Sequence, residues 1–255
     1  MKNLIFLTLL VFAFSKGYSQ RINPGKEALT VPLVTTSFGL QAPIGDLSDR
    51  FGLNGIAGIG FTQKLKSNWT WSVEGNIIFG SDVREDSLLR NISADFQGEQ
   101  GLIINNQGTL SDVVILERGF TVLGKIGRIF PLKNSNPNSG LYVQLGGGFF
   151  QHKIRYQGDE QDLPWFDQEM KKGYDRMSNG PCLYQFIGYS QLSSNRKINF
   201  FIGLEAYQSI TSNRRGYNYD TRDAGLQNRF DGLIGIKAGW QLPLYKRVPT
   251  EFYYD

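Results

Sequence analysis

The chain has 255 residues, 13% of them aromatic, with 30 Gly, one Cys and one His, and 27 basic against 23 acidic side chains leave a net charge of +4. The single Cys182 excludes an internal disulfide framework. So mild a charge balance, without clustered Lys and Arg on one face, gives no footprint for nucleic acid. One His and one Cys cannot form a familiar transition-metal ligand set, so neither a metal nor a cofactor is expected.

Residues 1–19 read as a signal peptide. Lys2 supplies the positive start, Leu4 to Phe14 a short apolar core, and Gly17-Tyr18-Ser19 the small residues of a cleavage site, so that the mature domain spans 20–255. The apolar core is about 11 residues long, too short for a spanning helix, which needs roughly 20. No Cys lies near the cleavage site, which argues against a lipid anchor. The rest of the chain has no other apolar run of spanning length, leaving a soluble secreted protein or an outer-membrane β-barrel.

Eight strand-like runs follow between about residues 29 and 244. The first, Leu29 to Gln41, leads into a loop from Ala42 to Gly52. The second, Leu53 to Leu65, turns at Lys66-Ser67-Asn68 into the third, Trp69 to Gly80. On that third strand Trp69, Trp71, Val73, Ile77 and Phe79 share one face, while Thr70, Ser72, Glu74 and Asn76 share the other. A long excursion, Ser81 to Gly119, precedes the fourth strand, Phe120 to Phe130, and the run Val113 to Leu116 predicts that strands three and four extend upward as a hairpin. A turn rich in Asn, Pro and Ser, Pro131 to Ser139, joins the fifth strand, Gly140 to Tyr156. After a second excursion, Gln157 to Pro181, the sixth runs Cys182 to Leu192. The turn Ser193 to Lys197 introduces the seventh, Ile198 to Gln208, and the loop Ser209 to Arg229 the eighth, Phe230 to Leu244.

The connections therefore alternate long and short, as in an eight-stranded antiparallel up-and-down transmembrane β-barrel with long extracellular loops. Aromatics at the short-turn ends (Trp69, Trp71, Phe130, Phe200, Trp240, Tyr245) suit an interfacial girdle. An even strand count puts both termini on the short-turn side, the periplasm. Glu74, Lys125, Glu205 and Lys237 then point inward. Counting heights from the strand ends places Glu74 level with Lys125 and Glu205 level with Lys237, predicting two buried ion pairs that plug the lumen.

The last strand carries Lys237, Gly239, Leu242 and Leu244 at the spacing of an outer-membrane insertion signal, although Pro243 interrupts it and a tail, 246–255, follows. This resembles the signal read by the barrel-assembly machinery, which the resemblance implies as a partner during insertion. The segments APIGDLSDRFGLNGIAGIGF and YVQLGGGFFQHKIRY, with the closing strand, are similar to the small outer-membrane β-barrel proteins of the Bacteroidota, a group that includes OmpA-like barrels and PorT-like components of type IX secretion. The resemblance implies a barrel in the outer membrane and leaves the partner complex open. No peptidoglycan-binding domain is expected after the barrel.

The loops offer candidate binding residues, Lys171, Lys172, Tyr174 and Arg176 on one and Arg214, Arg215, Tyr217 and Tyr219 on another, since Arg with Tyr is the composition of binding hot spots. Ordinary loop packing, a partner protein, or lipid phosphate or glycan would each use them. The expected role is a non-enzymatic structural or accessory subunit of an envelope complex, related to secretion or assembly, set in outer-membrane lipid. The alternatives are a small-solute channel, a rim-located lipid-modifying enzyme using His152 with Asp175 or Ser178, and a soluble lipocalin-like barrel with its apolar faces inward.

Overall fold

Alternation of apolar and polar side chains, sustained through long segments, folds this chain into strands that bury one face each. The computed structural model describes residues 27–85, 88–89, 91–92, 102–132, 136–158, 163–193, 198–225 and 227–244. The signal-peptide segment, Tyr245 and the tail beyond it lie outside the described residues. The elements are β1 (Val31–Gly45), α1 (Asp46–Arg50), β2 (Asn54–Lys64), β3 (Trp69–Gly80), β4 (Leu102–Ile104), β5 (Leu110–Asp112), β6 (Val114–Pro131), β7 (Gly140–Gln157), α2 (Gln168–Tyr174), β8 (Ser178–Leu192), β9 (Asn199–Asn213) and β10 (Asn228–Pro243).

Eight long strands close into a barrel in the order β1-β10-β9-β8-β7-β6-β3-β2, and β4-β5 form a small separate hairpin. Every neighbouring pair is antiparallel, and β1 is bonded to both β2 and β10. Closure satisfies the N–H and C=O groups that an open edge would leave bare.

The wall is apolar outside and mixed inside. Trp69, Trp71, Val73 and Ile77 of β3, Ile202 and Leu204 of β9, and Ile234, Ile236, Trp240 and Leu242 of β10 are exposed. Thr70, Ser72, Glu74 and Asn76 of β3 are buried, as are Glu205 and Lys237. A soluble lipocalin-like barrel, whose apolar faces turn inward, is the reverse of this arrangement. The interior is not purely polar, however. Tyr142, Phe150, Tyr184, Phe186, Phe201 and Tyr207 fill it, with Tyr184 and Tyr207 edge to face at 5.0 Å.

The strands run further toward the long-loop end than the sequence suggests. β1 continues to Gly45, whose φ of 66° turns the chain into α1. A Cβ at that point would collide with the Phe230 carbonyl oxygen, so glycine fits there. β6 does reach up to Val114, but its extension pairs with β7 (Val114 opposite Gln157). Strand three stops at Gly80, opposite Glu117, which corrects the expected hairpin of strands three and four. The chain beyond Gly80 is diverted: the Gly52 amide donates to the Asp82 carbonyl and the Arg84 amide to that of Arg50, tying it to the α1 connection.

At the short-turn end, Asn68 adopts φ 61° in the tight turn before β3. Leu29, Val31, Leu33 and Leu192 form a small buried cluster there. Beside it the Lys64 ammonium donates to the Leu29 carbonyl at 3.1 Å and to Asn138 Oδ1 at 2.9 Å. On the outer wall the Arg128 guanidinium lies over the Trp69 and Phe130 rings, 5.5 and 5.3 Å from their centroids.

Candidate functional site

Inward positions of β3, β6, β9 and β10 meet in the middle of the lumen. Lys125 Nζ lies 2.6 Å from Glu74 Oε2, and Lys237 Nζ lies 2.6 Å from Glu74 Oε1 and 3.3 Å from Glu205 Oε2. Gln41 donates to Glu205 Oε1 at 2.7 Å, and the Tyr207 hydroxyl donates to its other oxygen at 3.3 Å. The Tyr184 ring faces both ammonium groups, 4.9 Å from Lys125 and 5.5 Å from Lys237. All four charged side chains are buried.

The two sequence-predicted pairs are thus parts of one network, with Glu74 bridging both lysines. Neither pair sits directly across the ladder. Lys125 is opposite Ser72 and Glu205 is opposite Gly235, so each pair is diagonal by two residues. The Glu74–Lys237 contact crosses the lumen between strands separated by β1 and β2. Two acids and two cations cancel, and the side chains that cancel them occupy the bore.

Above this layer His152 Nε2 lies 2.8 Å from Asp231 Oδ2, and the Thr211 hydroxyl donates to the same oxygen. Arg229 Nε approaches Asp231 Oδ1 at 3.5 Å, and the Ser209 hydroxyl donates to the Asp231 carbonyl at 2.5 Å. Phe51 meets the imidazole edge-on at 5.7 Å, and Phe150 lies tilted to it at 5.4 Å. Leu47 and Phe51, from α1 and its end, are fully buried and cover this part of the mouth.

His152 is therefore not a rim residue, because its strand position faces inward beneath α1 and its side chain is fully buried. Asp175, a partner suggested by the sequence, instead receives Arg215 Nε at 2.8 Å and Nη2 at 2.5 Å. Ser178, the other, donates to the Arg176 carbonyl at 3.1 Å and accepts from Arg50 Nη1 at 3.4 Å.

The long loops form a cap over this mouth. Arg50 Nε pairs with Glu85 Oε1 at 2.8 Å, Arg176 Nε approaches Glu85 Oε2 at 3.4 Å, and Arg176 also pairs with Asp220. Tyr174 is buried, edge to face with Tyr219 at 5.6 Å, and the Tyr219 amide donates to the Gly173 carbonyl at 2.9 Å. The Tyr156 hydroxyl donates to the Tyr174 carbonyl at 3.0 Å. Burial opposes the Arg176 charge, but Glu85 and Asp220 outweigh it and raise its pKa. The hydrogen bonds from Arg215 to Asp175 raise that guanidinium as well. Arg50 is pulled down by burial, with repulsion from Arg229 and Arg176 adding to it against the attraction of Glu85. Between these groups lies a polar cleft of about 340 Å³ lined by Asp46, Arg50, Arg176, Asn218, Asp223 and Arg229, among others.

Of the eight candidate loop residues, Tyr174, Arg176 and Arg215 are spent on holding loops together. Lys172 pairs with Glu169 at 2.5 Å on the surface of α2, and Lys171 lies over Phe166 at 5.7 Å. Arg214 donates to Asn179 Oδ1 at 2.5 Å, while Tyr217 and Tyr219 remain 48% and 42% exposed. Sequence reasoning did not single out Arg50, Glu85, Asp220, Asp231 or Trp165. Opposite charges in separate loops announce no pairing until the loops are placed.

On the closing strand Lys237 points inward, Leu242 and Leu244 are exposed, and Pro243 ends the pairing opposite Leu33 of β1. A proline is tolerated at such a strand end. No family model and no curated protein matches this chain. Among solved structures, it is similar to Ail, the attachment invasion locus protein of Yersinia pestis, at 11% identity over 84% of this chain and 99% of that one, with a TM-score of 0.41. The same protein in complex with the heparin analogue sucrose octasulfate is 10% identical over 83% and 98%, TM-score 0.41. Neisserial surface protein A (NspA) is 9% identical over 82% and 96%, TM-score 0.42.

Proposed function

We propose that the protein is an integral outer-membrane barrel, closed to solutes, that serves as a non-enzymatic accessory subunit of an envelope complex concerned with secretion or assembly. The membrane part of this reading is supported by the outer wall. Apolar side chains such as Ile59, Ile77, Ile126, Leu145, Ile187, Leu204 and Ile236 are each at least 47% exposed and encircle the barrel. So large a continuous apolar surface demands an apolar surrounding. With the short turns in the periplasm, the cap faces outward.

The observation that carries the accessory role is the pre-assembled cap. The loops are joined by the ion pairs of Glu85, Asp175 and Asp220, which leaves Trp165, Tyr217 and Tyr219 exposed on the assembled cap. Rigid aromatics presented without further ordering cost suit recognition of another protein. The mid-lumen network argues against the channel alternative, since conduction would need Glu74, Lys125, Glu205 and Lys237 to part inside the bore.

Two measurements test this. A photo-crosslinking residue at Tyr217 in native envelopes is expected to give one stoichiometric protein adduct that the same residue at Leu65, in the opposite turn, does not give. The absence of any adduct specific to Tyr217 would remove the accessory role. In planar bilayers the wild type is expected to be silent, and steady open-channel current would establish the solute pathway instead.

A further inference from the structure

Charge on the outside of the barrel is confined and of one sign. Among the outward positions of the eight barrel strands, the charged side chains are Arg128 at the short-turn end and Arg118, Lys153 and Arg155 at the long-loop end. Arg118 and Lys153 are direct cross-strand partners, and Arg155 follows on the same face of β7. Placing like charges side by side costs stability unless an anion joins them. Among the described residues no carboxylate lies within ion-pair distance of any of the three, and Arg118 Nη1 donates to the Glu117 carbonyl at 2.6 Å.

Directly beneath this cluster the wall is hollowed. Phe120 is the next outward residue below Arg118, and it forms one rim of a depression of about 470 Å³ with Val122, Ile77, Ile59 and Ala57. Its floor is Gly75, where an added Cβ would meet nothing within 4 Å. The bare strip continues sideways through Gly124 and its cross-strand partner Gly147, which also face outward. Arg118 therefore stands on a strand that lines a groove with apolar sides, with Lys153 and Arg155 beside it on the neighbouring strand.

We propose that this side of the wall binds an anionic, phosphate-bearing lipid, its phosphate held by Arg118, Lys153 and Arg155 and an acyl chain lying in the groove over Gly75. Guanidinium forks match phosphate oxygens bidentately, and the ammonium adds a point charge between them. The inference rests on the reading that the belt lies in a membrane, and it adds which lipid chemistry is selected and where. A free phosphate would use the cations alone, whereas a lipid needs both halves of the site.

The test is native mass spectrometry of the full-length protein, extracted in mild detergent and titrated with phosphatidylglycerol, phosphatidylcholine or inorganic phosphate. Phosphatidylglycerol is expected to be retained about tenfold better than phosphatidylcholine, as one or two charge-assisted contacts would give. Replacing Arg118, Lys153 and Arg155 together by Gln should abolish that preference, and Gly75→Leu should weaken phosphatidylglycerol retention while the cations remain. Equal retention of the two lipids by the wild type, or a preference that survives the triple variant, overturns the proposal. Displacement of phosphatidylglycerol by millimolar inorganic phosphate, with Gly75→Leu having no effect, also overturns it, leaving a simple anion site. Recovery of the folded barrel without detergent, seen before any lipid is added, would instead be a failure of the membrane reading. Heat-shifted migration on gels verifies that each variant is folded.

Discussion

Glu74 and Glu85 each hold two cations, one in the middle of the barrel and the other beneath the loops. Glu74 takes Lys125 and Lys237 from strands whose register is fixed by continuous ladders, and its side chain is 4% exposed. Glu85 takes Arg50 and Arg176 from two different connections and is 18% exposed, and both of its partners line a polar cleft. The ladders around Glu74 form whether or not the charges meet, so the network is enclosed by structure that does not depend on it. Around Glu85 the support is weaker, because only a few backbone bonds and a ring contact join the loops besides the charges. Removing either carboxylate therefore tests a different kind of stability.

The largest effect is expected at Glu74. Glu74→Ala leaves Lys125 and Lys237 to share one carboxylate, Glu205, in the bore, and the uncompensated buried charge costs roughly 3–5 kcal/mol. Urea unfolding in detergent micelles, followed by the fluorescence of the outward Trp69, Trp71 and Trp240, measures it. A loss below about 1 kcal/mol, the scale of surface pairs, would mean that water reaches the bore. Glu205→Ala should cost less than Glu74→Ala, because Lys237 keeps its 2.6 Å contact with Glu74.

Asp231→Ala comes next. It strips the buried His152 of its Nε2 partner and Thr211 of its acceptor, and orphaned buried polar groups cost about 1–3 kcal/mol. The loss should appear in the same unfolding midpoint, with the native heat-shifted band retained. A midpoint unchanged from wild type would place water around the imidazole.

Much of the barrel was legible in the residues, and the gaps have physical causes. On β3 and β10 polar inward positions alternate with apolar outward ones, so the period of two reads cleanly. On β7 and β8 the inward positions carry Tyr142, Phe150, Tyr184 and Phe186, which erase the contrast between the faces. The diagonal pairs Glu74–Lys125 and Glu205–Lys237 lie on neighbouring strands, so counting from the turns brings them close, off by two residues. Glu74–Lys237 and His152–Asp231 join strands that are not neighbours. Contacts across the bore depend on barrel closure and tilt, which a single strand does not encode. The Arg50–Glu85–Arg176 cluster was hidden for a further reason, since its members come from three different connections.

The smallest effect on global stability, and the sharpest contrast with Glu74, is expected from Glu85→Ala. The pairs it breaks are partly wet, and such pairs are worth about 0.2–1 kcal/mol, so the unfolding midpoint should barely move. Its consequence is local. Without Glu85, Arg50 and Arg176 repel each other across the cleft, and among the described residues Arg176 keeps Asp220 as its carboxylate partner. The contact between the Gly173 and Tyr219 loops then loses support on one side, although the Tyr219 amide still donates to the Gly173 carbonyl. Hydrogen exchange at the Tyr219 amide should quicken about fivefold, matching a local loss of about 1 kcal/mol, while amides in the middle of β9 keep the wild-type rate. Raising salt from about 0.05 to 0.5 M shortens the screening length from roughly 14 to 4 Å and should speed the same amide in the wild type, leaving the Glu74 layer untouched. If both regions responded equally to salt, the cap and the bore would be one electrostatic body, and the platform presented by Trp165, Tyr217 and Tyr219 would be as rigid as the barrel itself.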